Sequence, residues 1–82
     1  MRSKVINVTQ KNINEGVINL TDCPVALALK DAGFTEVTVG ALGCHMTESN
    51  NKLVLFPEIA NKFTDMYDCR KPVRPFTFTL EY

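Results

Sequence analysis

Alternation of apolar and polar residues governs both ends of the chain. Phe76, Phe78 and Leu80 are separated by Thr77 and Thr79. Successive side chains of a strand point to opposite faces, so this spacing predicts a closing strand with three large apolar groups on one side and two hydroxyls on the other. Lys4 to Val8 reads as an opening strand, with Ile6 and Val8 sharing a face. Thr9 then offers an N-cap hydroxyl to a short helix over Gln10 to Glu15, ended by Gly16 and anchored by Ile13 and Val17. From Leu20 to Phe34 the period becomes helical, with Val25, Ala28, Leu29 and Ala32 spaced as one buried face. Thr21 or Asp22 is the expected cap, and Pro24 suits a first turn, where a missing N–H costs nothing. Gly33 fits the position just past the helix, with Phe34 folding back as the apolar contact after it.

Glu36 to Gly40 alternates again, Val37 and Val39 inward and Thr38 outward. Gly40 and Gly43 bracket a bend or bulge, after which Gly43 to Thr47 resumes a strand. Glu48 to Asn51 is a polar turn of hairpin length, and Lys52 to Phe56 returns as an apolar strand. Pro57 opens a second long helix that runs to about Cys69, with Ile59, Phe63, Met66 and Tyr67 on its inner face and Lys71-Pro72 as its stop. The predicted order is strand, short helix, helix, two strands, helix, strand. It describes one α+β domain over residues 1–82, with a small, mainly antiparallel sheet of four to five strands packed by two helices.

Size and charge narrow the functional classes. A chain of 82 residues buries roughly 60% of its unfolded surface, so the core is thin. Nine basic and nine acidic residues cancel, and a neutral domain lacks the positive field that nucleic-acid binding needs. No run of 18 apolar residues is present, so no spanning helix is expected. The opening strand leaves no room for a signal peptide. Three cysteines without an export signal read as free thiols in a reducing cytosol. Neutral charge also weakens mutual repulsion, which eases self-association.

Candidate chemistry is sparse. Cys23, Cys44, His45 and Cys69 are zinc-binding types, but Cys44 and His45 are adjacent on a strand and point to opposite faces, and no Cys-x-x-Cys pair occurs. Buried thiols filling space are the simpler reading, and no cofactor is expected. Cys23 sits near a helix N-terminus, where a thiolate is favoured, yet Asp22 opposes that and nothing in the sequence places the single histidine, His45, beside it. A cysteine-dependent enzyme is therefore the weakest alternative. Arg70, Lys71 and Arg74 form a basic cluster around Pro72. Cations are favoured at a helix C-terminus anyway, but this cluster, with His45 or the turn at Ser49 to Asn51, is the candidate contact for an anionic ligand or an acidic partner.

Three segments carry a family resemblance: Val8-Thr9 with Ile13, then Cys23-Pro24-Val25-Ala26-Leu27-Ala28, then Val73-Arg74-Pro75-Phe76-Thr77-Phe78-Thr79-Leu80. Phe63-x-x-Met66-Tyr67-Asp68 adds an aromatic and acidic helix end. The chain resembles a set of small uncharacterised proteins encoded by phages, prophages and other mobile elements. Relatives often carry a second cysteine three residues before the Cys-Pro; Leu20 stands there in this chain, which weakens a metal or redox reading further. The resemblance implies an accessory protein in the cytoplasm of a bacterial host, acting by stoichiometric binding to a host protein such as a defence component. The alternative is an oligomeric protein that binds a small signalling nucleotide. Phe34, Phe56 and Tyr82 are contact aromatics if exposed and core if not.

Overall fold

The first and last strands of the molecule are partners. In the computed structural model, which describes residues 2–82, β1 (Ser3–Val8) pairs antiparallel with β5 (Phe76–Glu81) in a two-stranded sheet. The register sets Ile6 opposite Phe78 and Val8 opposite Phe76. Ile6, Val8, Phe78 and Leu80 are buried, and Thr77 and Thr79 are exposed on the other face, as the alternation requires. There the Thr77 hydroxyl donates to Asn7 Oδ1 at 3.1 Å.

Between these strands lie α1 (Gln10–Glu15), α2 (Pro24–Asp31), β2 (Thr38–Val39), β3 (Gly43–His45), a 3-10 turn at Thr47–Ser49, β4 (Val54–Leu55) and α3 (Glu58–Asp68). The architecture is α+β. The five strands form two antiparallel sheets, β1-β5 and β2-β3-β4, where the sequence suggested one. Val37, Val39, Cys44, Met46, Val54 and Phe56 point from the second sheet into a core shared with Ile6, Val25, Leu29 and Leu80. Phe34 and Phe56 are buried in it, and Tyr82 packs edge-on against Phe34 with ring centroids 4.9 Å apart. Phe34 and Phe56 therefore belong to the core, while Tyr82 is half-buried against its edge.

Local capping explains the helices that begin and end where the sequence says. Thr9 and Asn12 cap each other reciprocally at the start of α1: the Asn12 N–H donates to Thr9 Oγ1 at 3.1 Å and the Thr9 N–H to Asn12 Oδ1 at 2.9 Å. The same buried Asn12 donates its Nδ2 to Asp31 Oδ2 at 2.9 Å, tying α1 to the end of α2. At that end Gly33 takes a φ of +101°, and the Phe34 and Gly33 N–H groups donate back to the Leu29 and Lys30 carbonyls, the Schellman arrangement. Lys4 reaches from β1 over the Phe34 ring to the Ala32 carbonyl, neutralising the C-terminal end of the helix dipole.

Elsewhere the sequence reading needs correction. α2 starts at Pro24, one or two residues later than a cap at Asp22 or Thr21 would place it, and its N-cap Cys23 makes no side-chain cap bond. Thr21 and Asp22 are not caps: their N–H groups donate to Asn19 Oδ1, and the Asp22 carboxylate pairs with Lys30 at 3.3 Å. Asn19 thus bends the backbone into a turn that competes with helix. β2 is short because Glu36 sits at φ 51°, outside the extended region. Thr35 and Glu36 are instead stapled to the 3-10 turn, with Glu48 accepting from the Thr35 N–H and hydroxyl at 2.9 Å each. On α3 the buried face is Ala60, Phe63 and Thr64, while Ile59 is 53% exposed. Thr64 can be buried because its hydroxyl donates to the Ala60 carbonyl at 3.0 Å. Val17 is also exposed and anchors nothing beneath α1.

Candidate functional site

The end of α3 builds the site. Cys69 closes the helix, and the Arg70 and Lys71 N–H groups donate to the Tyr67 and Met66 carbonyls at 2.9 Å each. This is a second Schellman closure, but the left-handed position holds Arg70, at φ 59°, and not glycine. The chain then turns back along α3 as Lys71-Pro72-Val73-Arg74-Pro75 before entering β5. The two prolines hold this strap extended and remove two backbone donors.

A groove lies on each side of the strap. The first, about 310 Å³, is lined by Ile59, Lys62, Phe63 and Met66 of α3 and by Pro72 to Phe76. The second, about 640 Å³, runs between Ile13, Val17 and Ile18 on one wall and Tyr67 and Arg70 to Val73 on the other. Pro72 and Val73 belong to both linings, so the two grooves flank one shared ridge. Their floors are apolar and their rims carry Lys62, Arg70, Lys71 and Arg74, with no Asp or Glu in either lining. Among the described residues the ion pair present is Lys30 with Asp22, so these four cations lack a carboxylate partner. Burial holds the Tyr67 phenol above its usual pKa, with Cys23 and Asp68 adding to the rise, so at neutral pH it stays a protonated donor at the second groove.

Of the residues singled out from sequence, Arg70 and Lys71 rim one groove and Arg74 the other. His45 joins neither; it is exposed on β3, facing away from buried Cys44. The turn at Ser49 and Asn50 lines a separate groove with Leu53, Leu55 and Tyr82. Sequence reasoning missed Lys62, Val17, Ile18 and the outward turn of Ile59. The alternative face Ala60, Phe63, Thr64, Tyr67, also spaced as a helix stripe, was the signal that would have turned Ile59 and Lys62 outward.

The cysteine candidates separate. Cys23 and Cys44 are buried and Cys69 is exposed, and among the described residues no three His, Cys, Asp or Glu side chains gather as a metal site. Burial raises the Cys23 thiol more than the Val25 and Ala26 N–H groups lower it. Burial alone pushes Cys44 up to about 11. Neither thiol is an activated nucleophile at neutral pH. In native protein at pH 8 a chromogenic disulfide reagent is therefore expected to titrate Cys69 at once and the other two only after denaturation. Labelling of Cys23 as fast as Cys69 would contradict this arrangement.

Comparison of the chain with models of protein families, with curated proteins and with solved structures gives no match. Among the described residues no helix is long and apolar enough to cross a membrane.

Proposed function

We propose that the chain is a small phage-type accessory protein that acts in the cytoplasm of a bacterial host by stoichiometric binding to a host protein, a component of antiviral defence being the leading case. The observation that supports binding is the pair of apolar grooves rimmed by four unpaired cations on a protein whose net charge is zero. Exposed apolar surface costs solubility, and Ile18 and Ile59, exposed in the linings of the two grooves that share Pro72 and Val73, support reading this face as an interaction surface. A standard interface needs about 800 Å² per partner, a modest part of the 5124 Å² that the described residues expose.

Arg70 provides the test. A left-handed arginine costs about 1 kcal/mol relative to glycine at a position of this kind. If its side chain serves a partner, Arg70→Gly should keep or raise stability by about 0.5–1 kcal/mol while capture of the host protein from lysate falls. Undiminished capture by a combined Arg70→Gly, Lys71→Ala, Arg74→Ala variant would remove this face from the reading.

A second reading is supported by the second groove alone. Its volume of about 640 Å³ lies in the range of small-molecule pockets, and Tyr67, Arg70 and Lys71 suit a nucleotide's phosphates. A nucleotide at 100 times its dissociation constant would add about 2.7 kcal/mol to stability. No thermal shift with a nucleotide panel eliminates it.

A further inference from the structure

We infer that the occupant of the two grooves is an acidic amphipathic helix of another protein; this rests on the binding reading above and adds the chemistry of the partner. Charge comes first. Lys62, Arg70, Lys71 and Arg74 rim the grooves without one carboxylate in the lining. Glu58, Asp65 and Asp68 are carried by α3 as well, but none of them lines either groove or pairs with a rim cation, and Glu48 and Glu81 sit at the separate groove beside β4. Long-range attraction at this face selects a negative partner and repels a basic one.

The floor then decides among negative partners. Ile13, Val17 and Ile18 on one side and Ile59, Met66 and Phe76 on the other are aliphatic or aromatic carbon on each flank of the Pro72–Val73 ridge. A nucleic acid would leave this carbon uncovered, because its outer surface is phosphate. Phe63 is 7% exposed, so it offers almost no open ring face on which a base could stack. A protein segment with apolar side chains on one face and carboxylates on its flanks satisfies both floor and rim.

The form of that segment follows from the walls. They are α1 and its following loop, α3 and the proline strap; of the lining residues only Phe76, the first of β5, belongs to a strand. Pro72 and Pro75 remove two of the strap's N–H donors and interrupt any continuous edge along it. The groove walls thus offer no continuous strand edge, and an amphipathic helix laid in a groove is the recognition mode that needs no backbone pairing. Its apolar side chains would enter the two grooves from either side of the ridge, with carboxylates reaching Lys62 and Arg74 at one end and Arg70 and Lys71 at the other.

The test uses the full chain and a labelled 18-residue helical peptide of Leu, Ala and Glu, with Leu at i, i+3, i+4 and i+7. Controls are the same composition with Leu placed off the stripe, a Lys-for-Glu counterpart, an oligo-dT of equal charge and phosphatidylglycerol vesicles. Fluorescence anisotropy should saturate with the acidic amphipathic peptide alone and weaken as salt rises. Lys62→Glu with Arg74→Glu should reduce its affinity at least tenfold. Both residues are exposed, and the milder Lys62→Ala, Arg74→Ala pair, checked by circular dichroism, guards against misfolding. Equal binding of the off-stripe or basic peptide, preferential binding of oligo-dT or vesicles, or a homodimer dispersed by the same charge reversal would each overturn the assignment. Loss of peptide binding alongside continued Arg70-sensitive capture of a host protein would sink the helix and leave the binding face standing; loss of both would sink both.

Discussion

Gly43→Ala should prevent the β2-β3-β4 sheet from forming. A Cβ built at Gly43 falls 2.0 Å from the Val54 carbonyl oxygen, 2.9 Å from the Val54 carbonyl carbon and 3.0 Å from Leu55 Cα. All three are backbone atoms of the neighbouring strand, so no rotamer change can relieve the overlap. The strands must move apart, which breaks the pairing of Gly43 with Leu55 and Cys44 with Val54. Val54, Cys44 and Met46 would then lose their place in the core. We expect a loss of about 4 kcal/mol or more, within the range reserved for gross steric and core defects. A domain of 82 residues is stable by only about 4–12 kcal/mol, so the variant should lose a third or more of its stability and, at the low end of that range, all of it. Gly40→Ala is the control. Its Cβ would find one atom within reach, the Gly43 carbonyl oxygen at 3.9 Å, and its effect should stay within about 0.5 kcal/mol. Urea unfolding of both variants, followed by far-ultraviolet circular dichroism, decides the matter; a Gly43→Ala protein as stable as wild type would refute the close approach of β3 and β4.

The same pair of glycines illustrates what the sequence conveys. Gly40 and Gly43 mark a bend equally well on paper, and only the packing of β3 against β4 makes one essential and the other replaceable. Signals confined to one element were legible. The Thr9 and Asn12 box fixed α1 within its predicted bounds, and Gly33 fixed the end of α2, because these hydrogen bonds span a few residues. Signals that depend on a competitor were not. Asn19 draws off the N–H groups of Thr21 and Asp22, and nothing in the apolar period before Pro24 reveals that. The left-handed residues Glu36 and Arg70 are not of a type that announces such a conformation, so β2 came out shorter than its alternation and the turn at Arg70 was read as an ordinary stop. The basic cluster Arg70, Lys71 and Arg74 was legible as charge. Its groove was not, since the walls come from three separated stretches, 13–18, 59–67 and 70–76, and a one-position error in the face of α3 hid Ile59 within the core.

Phe78→Ala should be the most damaging core truncation for both stability and binding. Phe78 is the second of five rings in a row and the most buried of the five. Phe56 is 5.6 Å from it at an interplanar angle of 70°, and Phe76 is 5.6 Å away on its other side. Phe76 in turn meets Phe63 at 4.7 Å, and Phe63 stacks on Tyr67 at 6.3 Å. The row runs from Phe56, just past β4, through β5 to α3, and it joins, within the shared core, two sheets that have no backbone pairing. Truncating a buried phenylalanine costs about 3–5 kcal/mol through lost transfer energy and the cavity left behind. For a domain of this size that lowers the melting temperature by more than about 12 °C. Val5→Ala is the matched control, because Val5 lies on the same sheet, opposite Thr79, and is 57% exposed; its effect should stay within about 0.5 kcal/mol. The consequence for binding follows from the order of the rings. Phe76 and Phe63 form the floor of the first groove and would lose the support of Phe78 behind them. If the grooves bind a partner as proposed, its capture by Phe78→Ala, at a temperature where the variant remains folded, should therefore fall although no rim cation has been altered. Wild-type capture by the folded variant would mean that the groove holds its shape without the aromatic row, and that core and binding face are energetically independent.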